Sequence, residues 1–376
     1  MSVYTFHRKE GFYSLEFSSD EEAKANGLCN PGTLEVVNEF TKEIIFTEKK
    51  IIKAEILWSR DCSLGCSYCA MADGRRNTIS EFDWEMGFYQ LKKLGCSFAA
   101  FYGAEPLNDF EKLPNVIEYA ESIGIHTTVI TSGVTPYLNN KLRILYEHGL
   151  RSITTSYDMV SLGNSSAIKS AKAMDIINQF RSFGTTRDAA IVATLTRTNF
   201  KLLPETIKKM SDKNIWTFFD LIHPDRHQPG SKVKNTEHLL FRQEDLNELN
   251  NVLAEVLSLK KEGYLCHTSE SFIKHLSKLR VSTFYTWCCA EEDNFPAFIT
   301  IDCDGLVYPC DDFQPKEITN IKIWEIADRW EEFCSVWKKE VIATCPGCCW
   351  NTHLDAHAIK RNELPITDYI HGMENK

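Results

Sequence analysis

The 376-residue chain has no apolar run approaching the length of a membrane span, and Met1 to Gly11 lacks both the basic stretch and the apolar core of a secretion signal. Those absences predict a cytosolic protein with no membrane partner. Basic excess is missing too. Lys and Arg number 42 against 52 Asp and Glu, and the net charge of −10 argues against a nucleic-acid phosphate backbone as the main partner. There is no internal repeat and no low-complexity tract. With 43% hydrophobic and 25% charged residues, the composition is that of an ordinary globular protein and excludes disorder and fibrous architecture. The length excludes a disulfide-stapled miniprotein and allows one large domain or two to three smaller ones.

What the chain does have is cysteine, 14 in all. Thiols stay reduced in a cytosolic compartment, so cysteines grouped at short spacing point to metal binding or catalysis rather than disulfides. Five lie before Lys261 (Cys29, Cys62, Cys66, Cys69, Cys96) and nine after it (Cys266, Cys288, Cys289, Cys303, Cys310, Cys334, Cys345, Cys348, Cys349). The first dense group is Cys62-Ser-Leu-Gly-Cys66-Ser-Tyr-Cys69 and the second is Cys345-Pro-Gly-Cys348-Cys349. Two regions of different chemistry are expected.

From Ile51 to Ile222 short apolar runs alternate with segments of helical periodicity, the pattern of repeated strand-helix units on a parallel sheet. Candidate strands are Ile52 to Trp58, Phe98 to Tyr102, Thr127 to Thr131, Ser152 to Ser156, Ala190 to Leu195 and Thr217 to Ile222. Candidate helices are Glu81 to Leu94, Leu113 to Ser122, Asn139 to His148, Ser166 to Phe183 and Leu203 to Ser211. Such a series curls into a complete or partial barrel with ligands at the C-terminal strand ends. The first cysteine group follows the first strand and so falls on that rim. Pro224 to Glu237 reads as linker. Glu244 to Lys261 is expected as an amphipathic packing helix with a stripe of Leu246, Leu249, Val252, Leu253, Val256 and Leu257. Ala297 to Ile301 and Leu306 to Tyr308 are expected as a hairpin in a separate metal-supported lobe, followed by a helix near Ile323 to Trp337. The first fifty residues hold hairpin-like runs (Tyr13 to Phe17, Thr33 to Val37, Ile44 to Phe46).

Three thiolates on one loop leave a metal centre one protein ligand short. A structural zinc site closes with four, and Asp61 and Asp73 are the nearest candidates for a fourth. A cubane iron-sulfur cluster on three cysteines instead keeps one iron open. With this spacing the sequence resembles the radical S-adenosylmethionine (SAM) enzymes, and the resemblance extends over the six strand-helix units. It implies an α/β fold, a partial (β/α)6 TIM-like barrel with a small C-terminal twitch-type iron-sulfur lobe. It also implies that Cys62, Cys66 and Cys69 hold a SAM-binding [4Fe-4S] cluster, with Tyr68 near the adenine.

Tyr102-Gly103-Ala104-Glu105-Pro106 resembles the family's Gly-Gly-Glu-Pro segment, which receives the SAM amino group. Ala104 replaces its second glycine, a departure that matters only if that position has a positive φ. By the same resemblance Thr131-Ser132-Gly133, Ser156-Tyr157-Asp158, Thr194, Thr196 and Arg197 stand at strand ends where SAM is contacted, with Arg197 toward the SAM carboxylate. Asp220 and His223 at the sixth strand end are candidate substrate contacts or proton acceptors, and Cys303 is a candidate hydrogen-atom donor.

Cys289, Gly305, Cys310, Cys345 and Cys348 resemble the lobe called SPASM or twitch in one radical SAM subgroup. After Cys349 no cysteine follows, so one auxiliary [4Fe-4S] cluster on Cys289, Cys310, Cys345 and Cys348 is implied, with Cys288 for Cys289 and Cys349 for Cys348 left open. A zinc ribbon on the same four thiolates is the alternative. Cys29, Cys96, Cys266 and Cys334 are expected as buried apolar residues. Trp350 to His353 is expected to pack over the auxiliary cluster.

The domain reading is 1–50 N-terminal extension, 51–225 barrel, 226–280 linker and packing helices, 281–351 auxiliary lobe and 352–376 tail. The expected function is a radical SAM enzyme of oxidoreductase or isomerase type. It would cleave SAM reductively to a 5′-deoxyadenosyl radical, with an electron donor such as flavodoxin or ferredoxin, and oxidise, epimerise or rearrange a sugar, cyclitol or nucleoside. The alternative is cross-linking or epimerisation of a ribosomally made peptide. Such enzymes more often carry two auxiliary clusters and a leader-recognition domain, for which fifty residues look short. A non-catalytic iron-sulfur or zinc protein is the reading from another class.

Overall fold

A computed structural model describes residues 2–8, 11–17, 36–37, 44–45, 51–66, 68–69, 71–160, 163–184, 188–222, 238–279, 296–310, 320–342 and 350–360. His223, Cys29, Cys288, Cys289, Cys345, Cys348, Cys349 and the Pro224 to Glu237 stretch lie outside the described residues.

At the N-terminus β1 (Ser2–Arg8) pairs antiparallel with β2 (Gly11–Phe17), and β3 (Val36–Val37) with β4 (Ile44–Ile45). The strand at Ser2–Arg8 was not singled out from sequence. Six parallel strands follow: β5 (Lys53–Ser59), β6 (Phe98–Gly103), β7 (His126–Thr131), β8 (Ser152–Ser156), β9 (Asp188–Leu195) and β10 (Trp216–Leu221). Each neighbours the next in chain order. Between them run α1 (Glu81–Lys93), α2 (Leu113–Ser122), α3 (Leu138–Glu147), α4 (Asn164–Ser182) and α5 (Leu203–Ser211). Their starts have local causes. The Ser80 hydroxyl accepts from the Asp83 N–H at 3.1 Å, and α2 and α5 carry a proline in the first turn, where no backbone donor is lost.

Side chains alternate across each strand, so one set faces the helices and the other the lumen. The outward set, including Ile56, Trp58, Phe101, Val129, Ile153 and Ile191, is fully buried against Trp84, Phe88, Ile117, Leu145, Ile177 and Phe180. Trp58 anchors this layer, with ring centroids 5.0 Å from Trp84 and 5.5 Å from Phe101. A second core joins Leu195, Phe219 and Leu221 to α5, α6 (Leu246–Lys261) and α7 (Glu270–Leu276). Leu249, Leu253, Val256 and Leu259 carry the buried stripe of α6, close to the expected one.

The C-terminal hairpin, β11 (Phe298–Ile301) and β12 (Val307–Tyr308), is not a detached lobe. β11 pairs parallel with β5, placing Phe298 against Lys53 and Ile301 against Ile56, and the barrel sheet becomes eight-stranded. The reason is hydrophobic: Ile299, Ile301 and Val307 complete the same core as Ile56. The helix expected at Ile323 to Trp337 is a single 3-10 turn at Ile323–Glu325 followed by α8 (Trp330–Val336). That turn lies on α1 at Gly87, where a Cβ would come within 2.7 Å of Ile323. Finally α9 (Asn351–Lys360) packs on β11, with His353 stacked 3.6 Å from Phe298. No described helix is long and apolar enough to cross a membrane.

Within α9, Asp355 is 1% exposed and accepts from the Ser269 hydroxyl at 2.5 Å. Burial pushes its carboxyl up to about 7, with Asp220 adding and the Ser269 hydroxyl and Lys260 opposing. The folded state thus keeps a proton that the unfolded chain releases near pH ~4, so this group's contribution falls as pH rises through neutrality. Asp355→Asn is expected to gain stability over the wild type on going from about pH 5 to about pH 8 in urea unfolding. An unchanged difference across that range would remove the assignment.

Candidate active site at the cysteine-bearing strand ends

Leaving β5, the chain is pinched into a loop at Arg60. The Arg60 N–H donates to the Arg75 carbonyl at 2.9 Å, and the Arg60 carbonyl accepts from the Asp73 and Gly74 N–H groups at 3.1 and 2.9 Å. Arg60 Nε also meets Asp302 Oδ1 at 2.8 Å, Arg75 Nη1 meets Asp302 Oδ2 at 2.9 Å, and the Cys303 N–H donates to Oδ1 at 2.9 Å. Burial alone would raise the Asp302 carboxyl, but Arg60 and Arg75 outweigh it and hold the group below the usual carboxylate range. One carboxylate at the end of β11 therefore closes the base of the cysteine loop.

Cys62, Cys66 and Cys69 are half-buried on that loop. The Leu64 N–H donates to Cys62 Sγ at 3.4 Å, and the Cys69 N–H to the Cys66 carbonyl at 3.1 Å. Burial raises the Cys62 and Cys66 thiols; the Leu64 N–H opposes it at Cys62 and Lys169 at Cys66, while Glu105 adds at Cys62 and Cys69 adds at both. No three His, Cys, Asp or Glu among the described residues converge to hold a single metal ion. Both nearby carboxylates are engaged elsewhere: Asp61 with Arg76 at 2.7 Å and Asp73 with Arg75 at 3.0 Å. Three thiols with no fourth ligand among the described residues suit a cluster whose thiolates sit on separate irons better than a closed zinc site.

Beside the thiols stands a buried polar group. Tyr68 donates its hydroxyl to Asp158 Oδ2 at 2.5 Å, Lys169 Nζ lies 2.9 Å from the same oxygen, and Lys169 also bonds the Tyr68 oxygen. Asp158 is fully buried, fixed through its N–H to the Ser170 hydroxyl and through its carbonyl to Asn199 Nδ2, and its Oδ1 has no partner among the described residues. Burial, then Asp158, drives the Tyr68 hydroxyl far up, so it remains a donor. Lys169 was missed from sequence. Its signal is a lysine on the apolar stripe of α4, in step with Ser166, Ala173 and Ile176.

The Tyr102 to Pro106 segment ends β6 and is tied to the next strand. Glu105 is fully buried and accepts four hydrogen bonds: from the Leu107 N–H (3.2 Å), the Thr131 hydroxyl (2.6 Å), and the Ser132 N–H (3.0 Å) and hydroxyl (2.5 Å). Glu105 thus joins the ends of β6 and β7. Gly103 has φ +127°, and a Cβ there would lie 2.4 Å from the Ser59 carbonyl oxygen. Ala104 is not among the positive-φ residues, and its N–H bonds the Ser59 carbonyl at 2.8 Å, so the missing second glycine costs nothing.

Arg197, expected toward the SAM carboxylate, instead meets Asp245 at 3.2 Å and Glu244 at 3.6 Å, because those carboxylates at the start of α6 sit over the end of β9. Ser156 ends β8, while Thr194 and Asp220 are register partners at the ends of β9 and β10. Asp220 is 8% exposed and accepts from the Leu221 N–H. Cys303 is buried in the hairpin turn, its thiol pushed up to about 12 by burial and then Asp302. Cys310 is half-buried just beyond β12, and Cys96, Cys266 and Cys334 are buried as expected.

Residues 56–187 match the radical SAM superfamily. The chain is similar to SuiB of Streptococcus suis bound to S-adenosylmethionine, with TM-score 0.59 and 18% identity over 87% of this chain and 73% of that one. SuiB bound to the precursor peptide SuiA matches at TM-score 0.56 and 18% identity over 78% and 66%. The structure of anSMEcpe with bound AdoMet and Cp18Cys peptide matches at TM-score 0.55 and 17% identity over 85% and 96%. At these identities the likeness establishes a shared fold.

Asp302→Asn leaves two arginines beside the cysteine loop without their shared charge. It is expected to cost about 3 kcal/mol in urea unfolding, as for one lost member of a buried ion pair. Asp302→Glu should recover part of that. The depressed carboxyl keeps the clamp intact at neutral pH and releases it only in acid, as pH falls below the usual carboxylate range. A wild-type-like Asp302→Asn melt would sink the clamp.

Proposed function

We propose, from a barrel that belongs to the radical SAM superfamily, that this enzyme reductively cleaves SAM and uses the resulting radical to modify a peptide. The observation that supports radical chemistry is the loop carrying three thiols at the C-terminal strand ends, beside which the described residues form no closed metal-ligand group. In this reading Cys62, Cys66 and Cys69 hold a [4Fe-4S] cluster. When bound, cluster and SAM supply a 5′-deoxyadenosyl radical that abstracts hydrogen from unactivated carbon.

The chain's own residues bind and orient. Lys169, held by Asp158 and Tyr68, offers a cation beside Cys66 for a carboxylate, and Asp158 Oδ1 offers an unspent acceptor for a hydroxyl. Glu105, Thr131 and Ser132 keep the β6 and β7 ends rigid beneath. Asp220 is placed to accept a proton from substrate in the lumen. Cys310 would ligate an auxiliary [4Fe-4S] cluster together with Cys289, Cys345 and Cys348.

The peptide reading replaces the small-metabolite expectation because the structures of similar fold include SuiB bound to SuiA and anSMEcpe bound to Cp18Cys peptide. After anaerobic purification the protein is expected to contain iron and sulfide and to form 5′-deoxyadenosine from SAM with a strong reductant. Cys66→Ala is expected to abolish that activity while the far-ultraviolet spectrum is unchanged. Tightly bound zinc with no SAM cleavage would overturn the radical reading.

For the substrate, co-expression with the short open reading frames beside its gene is expected to yield one peptide with a changed mass or an inverted residue. If every flanking peptide stays unmodified while a sugar or nucleoside is consumed, the metabolite reading returns.

A further inference from the structure

One layer below the rim the lumen is unfilled. A cavity of about 120 Å³ spans all six barrel strands, lined by the lumen-facing residues two and four positions before the rim. Barrels of this kind usually pack that volume with bulky branched side chains. Here β6 and β9 contribute Ala100 and Ala190, and β8 contributes Ser152 and Thr154. Ile130 and Val192 keep part of the branched packing, and the rest of the apolar wall is aromatic: Phe98, Trp216, Phe218 and His267, the last two edge to face at 5.6 Å. A cavity of comparable size, about 150 Å³, admits one benzene ring.

The cavity is not purely apolar. Lys53 and Glu55 of β5 form a buried ion pair at 2.5 Å on its wall, with Lys53 Nζ 5.8 Å from the centre of the Phe98 ring. Thr352, from the start of α9, also lines it, and its hydroxyl is buried with no partner among the described residues. Aromatic walls select a flat ring, and a hydroxyl with unspent bonding capacity selects a ring carrying a polar substituent. The cavity runs from the strand starts, where Arg151 and Ala189 line it, to one step below the rim. Phe218 precedes Asp220 by two residues and Thr154 precedes Ser156 by two, a step of about 7 Å along a strand.

We propose that this cavity is an anchor pocket for the single-ring, tyrosine-like aromatic side chain of a peptide whose backbone lies at the rim. This rests on the peptide reading and adds a specificity element to it. Binding there is a property of the folded barrel and does not require SAM cleavage.

The test uses the full-length holoenzyme and p-cresol as probe, titrated by ligand-detected NMR. Ala190→Leu and, separately, Ala100→Leu fill the space without touching the rim, and each is expected to weaken p-cresol about tenfold or more while SAM cleavage stays within about twofold. Thr352→Val is expected to weaken p-cresol but not toluene. Should one filling variant fail to fold, the other and Thr352→Val decide the matter. No p-cresol binding, or equal binding by wild type and variants, overturns the pocket. N-acetyl-tyrosine amide and free tyrosine separate the two sources of such a ring. A preference for the blocked form supports a peptide side chain, and a preference for the free amino acid overturns that assignment. Loss of SAM cleavage with p-cresol binding intact would instead mark failure of the radical reading.

Discussion

The rim depends on one shared carboxylate. Asp302 sits at the junction of three segments that are distant in sequence: the end of β11, Arg60 at the exit of β5, and Arg75 where the cysteine loop returns. Farther along the loop, Asn108 donates to the Asp61 carbonyl, Ser165 to the Leu64 carbonyl, and Tyr68 to Asp158. The loop's thiols are half-buried, their burial raises them rather than stabilising charge, and Gly65 takes a left-handed φ of +56°. A buried ion network is a weak source of net stability but a strong source of uniqueness, since any other placement strands a charge. The hydrophobic edge of β11 brings the hairpin alongside β5, and the Asp302 pair then decides which loop geometry goes with it. The same contact ties the hairpin that leads to Cys310 to the loop of Cys62, so the two cysteine regions share one frame.

Much of that frame could be read from residues alone. The barrel strands fall within two residues of their expected ends because each is bounded by a turn and alternates between a packed outer face and an open lumen. The three-cysteine loop was legible because its spacing and its place after the first strand are both local properties. What was not legible is long-range. Arg197 stands at a strand end with no acidic neighbour in sequence, yet the approach to α6 brings Asp245 and Glu244 to it from more than forty residues away. The partners of Glu105, Thr131 and Ser132, belong to the next strand, and only register places them on the carboxylate. The hairpin looked like a separate lobe because sequence cannot show that Ile299 and Ile301 complete the core of Ile56.

Lys169 shows how a local anomaly can still carry information. An amphipathic helix keeps its lysines in water, and a lysine in step with Ala173 and Ile176 must be paired or it unfolds the helix from the core. Its pairing with Asp158 consumes one carboxylate oxygen and leaves the other unspent, while Tyr68 is locked as a donor between them. Asp158 is neutralised by Lys169, but three thiols, once ionised, would gather negative charge at the same place. Lys169, beside Cys66 as well as Asp158, offsets part of that charge. In the proposed reading a cationic metal-sulfur core on the thiolates would offset the rest, while Asp61 stays paired with Arg76 and Asp73 with Arg75.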